Sequence, residues 1–159
     1  MDQSKLRSIQ QITQITSRLK RSGKKIVFTN GCFDILHSGH VRVLKEAKAL
    51  GDVLVVGLNR DASVKGLKGS GRPVTSENER AEVLCALTAV DYAVFFREST
   101  PEKLIRAVRP DLLVKGGDWK KKDIVGAAFV ESYGGKVRPL RFIQGYSTTK
   151  LIEKIKKIS

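Results

Sequence analysis

The only two histidines of the chain lie three residues apart in the stretch TNGCFDILHSGH, which spans Thr29 to His40. Imidazole nitrogens can donate hydrogen bonds to phosphate, bind a metal or carry a proton, so their surroundings decide their chemistry. If Ser38 and Gly39 begin a helix, His37 and His40 lie on one face of its first turn. The unpaired N–H groups of a helix N-terminus favour anions. The stretch therefore predicts a pocket for a phosphate chain.

Other interpretations of this stretch stay open from the residues alone. Two histidines near a helix start could serve only in capping and packing. A metal site would use His37, His40 and Asp34, although no further cluster of ligands is apparent. Nucleophilic catalysis would need Cys32 activated by a histidine, but a cysteine at a strand end is usually a small buried hydrophobic residue.

Apolar periodicity predicts the elements that position the histidines. Five apolar runs are typical of strands, and a helical pattern follows each of them. The predicted strands are residues 24–30, 52–59, 92–96, 111–117 and 136–143, and the predicted helices are 41–51, 76–90, 100–109, 124–135 and 147–158. This alternation predicts an α/β domain with a doubly wound, mainly parallel five-stranded sheet and flanking helices. Pro139 indicates that the last strand lies at an edge or contains a bulge.

Residues 1–22 precede the alternation and are predicted to form an amphipathic helix. Their apolar residues recur every three or four positions, at Leu6, Ile9, Ile12, Ile15 and Leu19. We expect this helix to pack on the domain formed by residues 23–159, although a dimer contact is an alternative.

Three predicted strand ends carry groups that a packing loop would not need. They are TNGCFD, VKGGDW and FIQGYSTT, which contribute glycines, hydroxyls and carboxylates. In an open α/β sheet the ligand site lies at the carboxyl ends of the strands. The three segments are therefore expected to meet at one site.

Composition limits the partners and the setting of the protein. The chain has 159 residues, enough for one domain, and a net charge of +14, which favours an anionic partner such as nucleic acid, an acidic lipid surface or a phosphorylated small molecule. Aromatic residues make up 6% and do not alternate with the basic runs, so a stacking platform for single strands is not evident. No apolar run is long enough for a membrane span, and we expect a cytoplasmic protein. The two cysteines form neither a disulfide framework nor a zinc pattern.

Two motifs in this order resemble those of a known enzyme superfamily. GCFDILHSGH resembles the nucleotidyltransferase signature GxFDxxHxGH of the cytidylyltransferase-like superfamily, and GYSTTK resembles its C-terminal IST(T/S)K-type motif. The segments DASVKGLKGSGRP, NERAEVL, DLLVKGGDW and GYSTTKLI resemble the adenylyltransferase domain of bacterial ADP-heptose synthase. The likeness runs from about residue 20 to the end. It implies a Rossmann-like fold and transfer of AMP from ATP to a heptose 1-phosphate, giving ADP-heptose for lipopolysaccharide or related surface sugars.

The resemblance also implies roles for individual residues. His37 and His40 would hold triphosphate oxygens, and Lys65 and Lys68, in a mobile glycine-rich basic loop, would bind phosphates, with Lys65 also reaching the sugar phosphate. Asp34 would orient its loop or contact the substrate. The implied nucleotide-binding residues are Asn30, Gly31, Cys32, Phe33, Gly39, Arg80, Gly116, Gly117, Asp118, Tyr146, Ser147, Thr148 and Thr149. No metal site of the protein's own is expected; Mg²⁺ would accompany the nucleotide. The family also implies a homodimer.

One departure from the pattern bears on the substrate. Glycerol-phosphate cytidylyltransferases usually have an arginine five residues before the serine of the second motif, where this chain has Phe142 beside Arg141. This favours the heptose-phosphate branch and ATP. A cytidylyltransferase for glycerol 3-phosphate or a similar alcohol phosphate remains the nearest alternative, and a basic nucleic-acid-binding domain is the alternative that is not an enzyme. In bifunctional relatives a sugar kinase domain comes first; only one helix precedes residue 20 here, so kinase activity is not expected.

Overall fold

The computed structural model describes residues 4–141 and 145–158, in which strands and helices alternate. The strands are β1 (Leu6–Arg7), β2 (Ile26–Gly31), β3 (Val53–Asn59), β4 (Tyr92–Phe96), β5 (Leu112–Gly116) and β6 (Lys136–Leu140). The helices are α1 (Ile9–Arg21), α2 (Ser38–Lys48), α3 (Asp61–Lys68), α4 (Glu77–Ala86), α5 (Glu102–Val108), α6 (Ala127–Ser132) and α7 (Thr148–Ile158), with a short 3-10 helix at Lys121–Asp123.

The six strands form one parallel sheet in the order β1-β4-β3-β2-β5-β6. The chain moves outwards from β2 through β3 to β4, then returns to the other side of β2 to add β5 and β6. The order therefore reverses between β2 and β5, and a crevice opens there above the carboxyl ends of the strands. The predicted α/β class and the doubly wound parallel sheet are confirmed, and Pro139 lies in an edge strand as expected.

The sheet has six strands where the sequence predicted five. The additional strand is β1, whose two residues pair with Ala93 and Val94 of β4. Two residues are too few to show the alternation by which a strand is recognised in a sequence. The predicted N-terminal helix is accordingly shorter than residues 1–22 and begins at Ile9, after a capping box formed by Ser8 and Gln11.

Alternating side chains of the central strands pack on opposite faces of the sheet. Val27, Leu54 and Val56 belong to a core layer shared with Leu44 of α2 and Leu84 of α4. Their neighbours Ile26, Phe28 and Val55 pack in a second layer with Ile12 of α1, Leu104 of α5 and Val130 of α6. Burial on both faces explains the nearly continuous apolar runs of the sequence. The position of Ile12 in the second layer shows that α1 packs on the sheet of its own chain.

Besides α1, the helices that differ most from the sequence prediction are α3, which was not predicted as a helix, α4, which ends at Ala86 rather than at residue 90, and α6. Residues 65–68 are helical, as the last turn of α3, although glycine-rich composition predicted a loop that begins at Lys65. The helix predicted from residue 124 begins only at Ala127, because Gly126 has a φ of 86° and cannot continue a right-handed helix. By contrast, the Ser76 capping box opens α4 as predicted. Within the described residues no helix is long and apolar enough to cross a bilayer.

Acidic residues stabilise the end of the sheet that lies opposite the crevice. The Asp52, Asp91 and Asp111 carboxylates accept hydrogen bonds of 2.7–2.8 Å from the backbone N–H groups of Lys25, Leu54 and Ile26. Each aspartate comes just before one strand, and its carboxylate bonds at the start of the strand beside it in the sheet. These negative charges are thus placed far from the carboxyl ends of the strands.

Candidate active site

A cavity of about 870 Å³ opens at the carboxyl ends of β2 and β5, where the strand order reverses. Its volume lies in the usual range for sites that bind small molecules. It is lined by Asn59 and by parts of six segments, within residues 29–34, 37–43, 67–72, 99–101, 115–125 and 146–149. Residues from all three predicted strand ends therefore meet at one site, the third of them through its described residues 146–149.

The two histidines begin α2 and bind to its backbone through one nitrogen each. His37 is the N-cap, and its Nδ1 accepts a hydrogen bond of 3.2 Å from the Gly39 N–H. His40 is the third residue of the helix, and its Nδ1 accepts from the His37 N–H at 3.3 Å. The rings are stacked, with centroids 3.9 Å apart. Because both Nδ1 atoms are acceptors, the proton of each neutral ring lies on Nε2, which remains a hydrogen-bond donor.

Burial favours the neutral form of both imidazoles, in which each ring has one N–H donor. Burial lowers the pKa of His40 to about 4, an effect that His37 adds to and Asp34 opposes. Burial also lowers the pKa of His37. Capping and packing, the alternative that the sequence left open, is part of what these rings do, but it uses only Nδ1. The Nε2–H groups are left for a ligand in the cavity that both side chains line.

The GYSTT segment docks on the start of α2 because Gly39 has no side chain. A Cβ atom at Gly39 would lie 2.7 Å from Cβ of Tyr146 and 3.0 Å from the His37 ring. The Tyr146 ring is also stacked near His37, with centroids 6.4 Å apart, and the Arg42 guanidinium lies 5.1 Å from its centre. Gly31 is similar, since its Cβ would meet the Phe33 ring at 3.0 Å. Both glycines thus make room for aromatic neighbours, and both also line the cavity, as expected of the nucleotide-binding residues that the resemblance implied.

The N-terminus of α7 faces the same cavity. The Ser147 Oγ accepts a hydrogen bond of 3.1 Å from the Lys150 N–H, which is a capping interaction. The Thr148 hydroxyl donates to the backbone carbonyl of Asp34 at 2.8 Å and so joins α7 to the loop after β2. Tyr146, Ser147, Thr148 and Thr149 all line the cavity. Phe142, which bears on the choice of substrate, lies outside the described residues.

Asp34 is buried and connects three segments around the cavity. Its carboxylate accepts hydrogen bonds from Arg72 Nε at 2.5 Å, from the Val74 N–H at 2.9 Å and from the N–H and hydroxyl of Thr75. Burial raises the pKa of this carboxyl, but the hydrogen bonds outweigh it and hold the pKa below its usual range. All these bonds are internal, so the side chain orients its loop, one of the two roles that the sequence offered.

Arg80 has a different place from the one predicted. It was expected in the triphosphate region, but its side chain is 2% exposed and does not line the cavity. The guanidinium donates to the backbone carbonyls of Cys32 and Asn59 and to the Asp61 carboxylate, at 2.5–2.8 Å. With its donors bound to protein acceptors, Arg80 supports the ends of β2 and β3 from beneath. A sequence pattern locates such an arginine but does not show which way its helix faces.

The two lysines of the basic segment, residues 65–73, differ in whether they line the cavity. Lys65 and Lys68 both lie in the last turn of α3, but only Lys68 lines the cavity. Arg72, just beyond, lines it as well and is paired with Asp34. The structure thus places Lys68 and Arg72, rather than Lys65 and Lys68, at this side of the site.

The remaining predicted residues lie at the ends of β2 and β5. Asn30, Gly31, Cys32 and Phe33 line the cavity, as do Gly116, Gly117 and Asp118. Gly117 has a φ of 119°, a conformation that favours glycine, and the Asp118 side chain is exposed. Burial raises the pKa of the Cys32 thiol, although nearby cations oppose it. A thiol held in its neutral form is a poor nucleophile, which disfavours the cysteine-based alternative.

A sequence model of the cytidylyltransferase-like family matches residues 28–154, from β2 into α7. The chain belongs to this family. It is therefore a member of a nucleotidyltransferase family, and the matched residues include both histidines and the GYSTT segment.

Curated relatives of this cytidylyltransferase-like chain include much longer proteins. Bifunctional protein HldE of Geobacter metallireducens is 53% identical over 152 residues, which are 96% of this chain and 31% of the relative. HldE of Pseudomonas paraeruginosa is 52% identical over 149 residues, which are 94% of this chain and 31% of the relative. The chain thus spans about a third of the length of the curated relatives it matches.

Two solved structures are similar to this one. A lipopolysaccharide core biosynthesis protein from Thermoplasma volcanium has a TM-score of 0.64 and 32% identity, covering 79% of this chain and 100% of its own. Pantoate–β-alanine ligase from Francisella tularensis has a TM-score of 0.63 and covers 97% of this chain and 77% of its own. Its identity of 18% shows a shared fold alone.

Several cavity residues of this cytidylyltransferase-like domain were missed from the sequence. They include the polar residues Asn59, Arg72, Ser99, Thr100, Lys115 and Asp123 and the apolar residues Leu67, Trp119 and Val125. Asn59 and Lys115 end β3 and β5, and Ser99 follows β4. Their position after predicted strands was a signal available in the sequence, because every strand of a parallel sheet ends at the same edge.

Proposed function

We propose that the chain transfers AMP from ATP to a heptose 1-phosphate, giving ADP-heptose and pyrophosphate. The observation that carries the proposal is the pair of neutral Nε2–H donors at the N-terminus of α2, beside the N-terminus of α7, in one cavity. The choice of sugar is supported by the segments that resemble the adenylyltransferase domain of ADP-heptose synthases. It also fits the lipopolysaccharide core biosynthesis protein among the structural relatives.

In the proposed reaction a phosphate oxygen of the sugar phosphate attacks the α-phosphorus of ATP. A new P–O bond forms as the bond from the α-phosphorus to the bridging oxygen of pyrophosphate breaks, and the electron pair leaves with pyrophosphate. No covalent enzyme intermediate is needed, so positioning and charge stabilisation supply the rate enhancement. The Nε2–H groups of His37 and His40 donate to the oxygens that gain negative charge. Backbone N–H groups that begin α2 and α7 favour the same anion.

The other end of the nucleotide is assigned to the segment after β5. The backbone of Gly116 and Gly117 is assigned to the adenine ring, although the absent side chain of Gly116 makes room for Val43 of α2, 3.2 Å from where its Cβ would lie. Asp118 accepts hydrogen bonds from ribose hydroxyls. Ser99 and Thr100 provide hydroxyls on the opposite side of the cavity, where hydroxyl groups of the sugar would meet them.

Magnesium is proposed to arrive with ATP. Among residues 4–141 and 145–158, no three or more His, Cys, Asp and Glu side chains are grouped so as to hold a metal ion. A magnesium ion that takes most of its ligands from phosphate oxygens and water needs no such group of side chains. The ion would neutralise part of the triphosphate charge.

Release of pyrophosphate from ATP and from CTP, across a panel of sugar and alcohol phosphates, tests the function. We expect turnover with ATP and a heptose 1-phosphate. Turnover with CTP and glycerol 3-phosphate, but none with ATP and heptose phosphate, would overturn the proposal. A steep salt dependence of RNA or duplex binding, without nucleotidyl transfer, would instead support the nucleic-acid-binding alternative. The proposal includes a homodimer, tested by sedimentation equilibrium, and a cytoplasmic location, where ATP is available.

Replacement of Lys68 by alanine is expected to lower kcat/KM roughly ten- to a hundredfold, because a charged donor facing the phosphates is lost. Lys65→Ala is the matched control from the same helical turn, and we expect less than about a threefold effect because Lys65 does not line the cavity. Both side chains are exposed, so neither variant should change the melting temperature much. Equal losses of activity in the two variants would show that α3 rotates or unwinds when substrates bind.

A further inference from the structure

Lys115 lies in β5, at the point where the strand order reverses. It is mostly buried, near the carboxyl end of β5, and its side chain lines the cavity. Among the described residues its Nζ has one hydrogen-bond acceptor, the Asn30 carbonyl, at a long distance of 3.4 Å. The Trp119 ring lies 5.9 Å away. Among the ion pairs of the described residues, none involves Lys115.

A buried ammonium without a carboxylate partner is costly in the unliganded protein. Burial lowers the pKa of Lys115, the Cys32 thiol opposes this, and the like charge of Lys68 adds to it. Arg72, the other cation on this side of the cavity, is already neutralised by Asp34. Lys68 and Lys115 therefore form an excess of positive charge between α3 and β5. An anionic ligand would remove that cost.

We propose that Lys115 and Lys68 bind the phosphate of the acceptor, the sugar phosphate that attacks ATP. The assignment rests on the function proposed above. It places an oxyanion of the nucleophile between two cations that reach the cavity from opposite sides of β2, since α3 follows β3 and Lys115 ends β5.

The cavity has two separate sets of phosphate donors, which is why the acceptor is assigned to the lysines. His37 and His40 lie at the start of α2, whereas Lys115 lies near the end of β5 and Lys68 in the last turn of α3. In-line transfer needs the attacking and leaving groups on different sides of the α-phosphorus. The histidines with the two helix N-termini serve the leaving pyrophosphate, so the lysine pair is left for the incoming phosphate.

Steady-state kinetics of Lys115→Met test this assignment, with Lys121→Met as the matched control. Methionine keeps the length of the side chain and removes the charge, and Lys121 is an exposed lysine that does not line the cavity. We expect Lys115→Met to raise the KM for the sugar phosphate about tenfold or more, while the KM for ATP changes less than about threefold. Lys121→Met should change neither. A rise confined to the KM for ATP would overturn the assignment to the acceptor.

Two further measurements separate this proposal from the proposed function and from a merely structural lysine. Calorimetric titration with inorganic phosphate needs no turnover, and its affinity should fall about tenfold or more in Lys115→Met but not in Lys121→Met. Equal phosphate affinities in the two variants would overturn the proposal even if wild-type turnover confirms the enzyme. The melting temperature without ligand should stay the same or rise in Lys115→Met, because an unpaired buried charge is removed. A marked fall would assign Lys115 to the support of the fold instead.

Discussion

Replacement of His40 by alanine is expected to lower turnover of ATP and the sugar phosphate about 100-fold or more while the protein stays folded. The ring is one of two neutral donors at the start of α2; its Nδ1 accepts the His37 N–H, and its Nε2–H has no hydrogen-bond partner within residues 4–141 and 145–158. Removing one preorganised donor to a developing charge typically raises the barrier by about 2.7–4 kcal/mol. The loss should appear in kcat, because negative charge on the pyrophosphate oxygens grows only as the transition state forms.

The matched control for this variant is Lys45→Ala. Lys45 is an exposed residue of the same helix and does not line the cavity, so its replacement tests α2 without touching the donor pair. Circular dichroism and the melting temperature establish that both variants are folded. Turnover near the wild-type level in a folded His40→Ala protein would mean that the stacked pair serves only to cap α2.

The pH dependence of the same comparison identifies the active form of the ring. With its pKa lowered to about 4, His40 is neutral in the free protein at neutral pH. The ratio of kcat/KM between wild type and His40→Ala should therefore stay constant between about pH 6 and 8, since kcat/KM reports on the free enzyme. If the ratio instead declines steadily as the pH rises over this range, the protonated imidazolium is the form that acts.

Much of the scaffold was predictable because a strand that is buried on both faces has a nearly continuous apolar sequence. The runs that became β3, β4 and β5 are apolar enough to be recognised without neighbours. The start of α2 was equally clear, since its histidines, serine and glycine occupy positions that a helix N-terminus explains. Once the strands were placed, the edge at which the site lies followed from the parallel topology.

What the sequence could not provide was the direction in which single side chains point. Arg80 and Lys68 are both basic residues near the site, but one is buried beneath β2 and β3 and the other reaches the cavity. Their difference depends on how α3 and α4 rotate against the sheet, which long-range packing decides. Lys115 was overlooked because it lies within an otherwise apolar strand pattern. Only the structure shows that its ammonium has no acidic partner among the described residues.

Replacement of Asp34 by alanine is expected to lower the free energy of unfolding by about 3–5 kcal/mol, the usual effect of removing one partner from a buried ion pair. The carboxylate is the common acceptor for Arg72, Val74 and Thr75, so the change leaves the Arg72 guanidinium and two backbone N–H groups without it. Urea denaturation at neutral pH measures the loss. Turnover should fall as well, because the loop whose Asp34 carbonyl accepts a hydrogen bond from Thr148 of α7 would no longer be held in place by the carboxylate.

The local backbone adds to the expected cost. Phe33 and Ile35, on either side of Asp34, have φ values of 49° and 50°, which are uncommon for residues other than glycine and especially for a β-branched one. Such conformations persist where surrounding bonds impose them. The Asp34 carboxylate supplies those bonds, so its loss should release the segment between β2 and α2 that ends at the histidines.

Asp52→Ala is the control that separates this network from an ordinary carboxylate. Asp52 also accepts a backbone N–H, from Lys25, but it is exposed at the opposite end of the sheet, so we expect a loss below about 1 kcal/mol. The pKa of Asp34 lies below 3.8, so its contribution is complete above that value and is lost as the pH falls through the lower folded-state pKa. The difference between wild type and Asp34→Ala should therefore be full at neutral pH and shrink only in strong acid. If the two aspartate variants lose the same stability at neutral pH, Asp34 does not hold the loop, and the position of the histidines must depend on the packing of Tyr146 against Gly39.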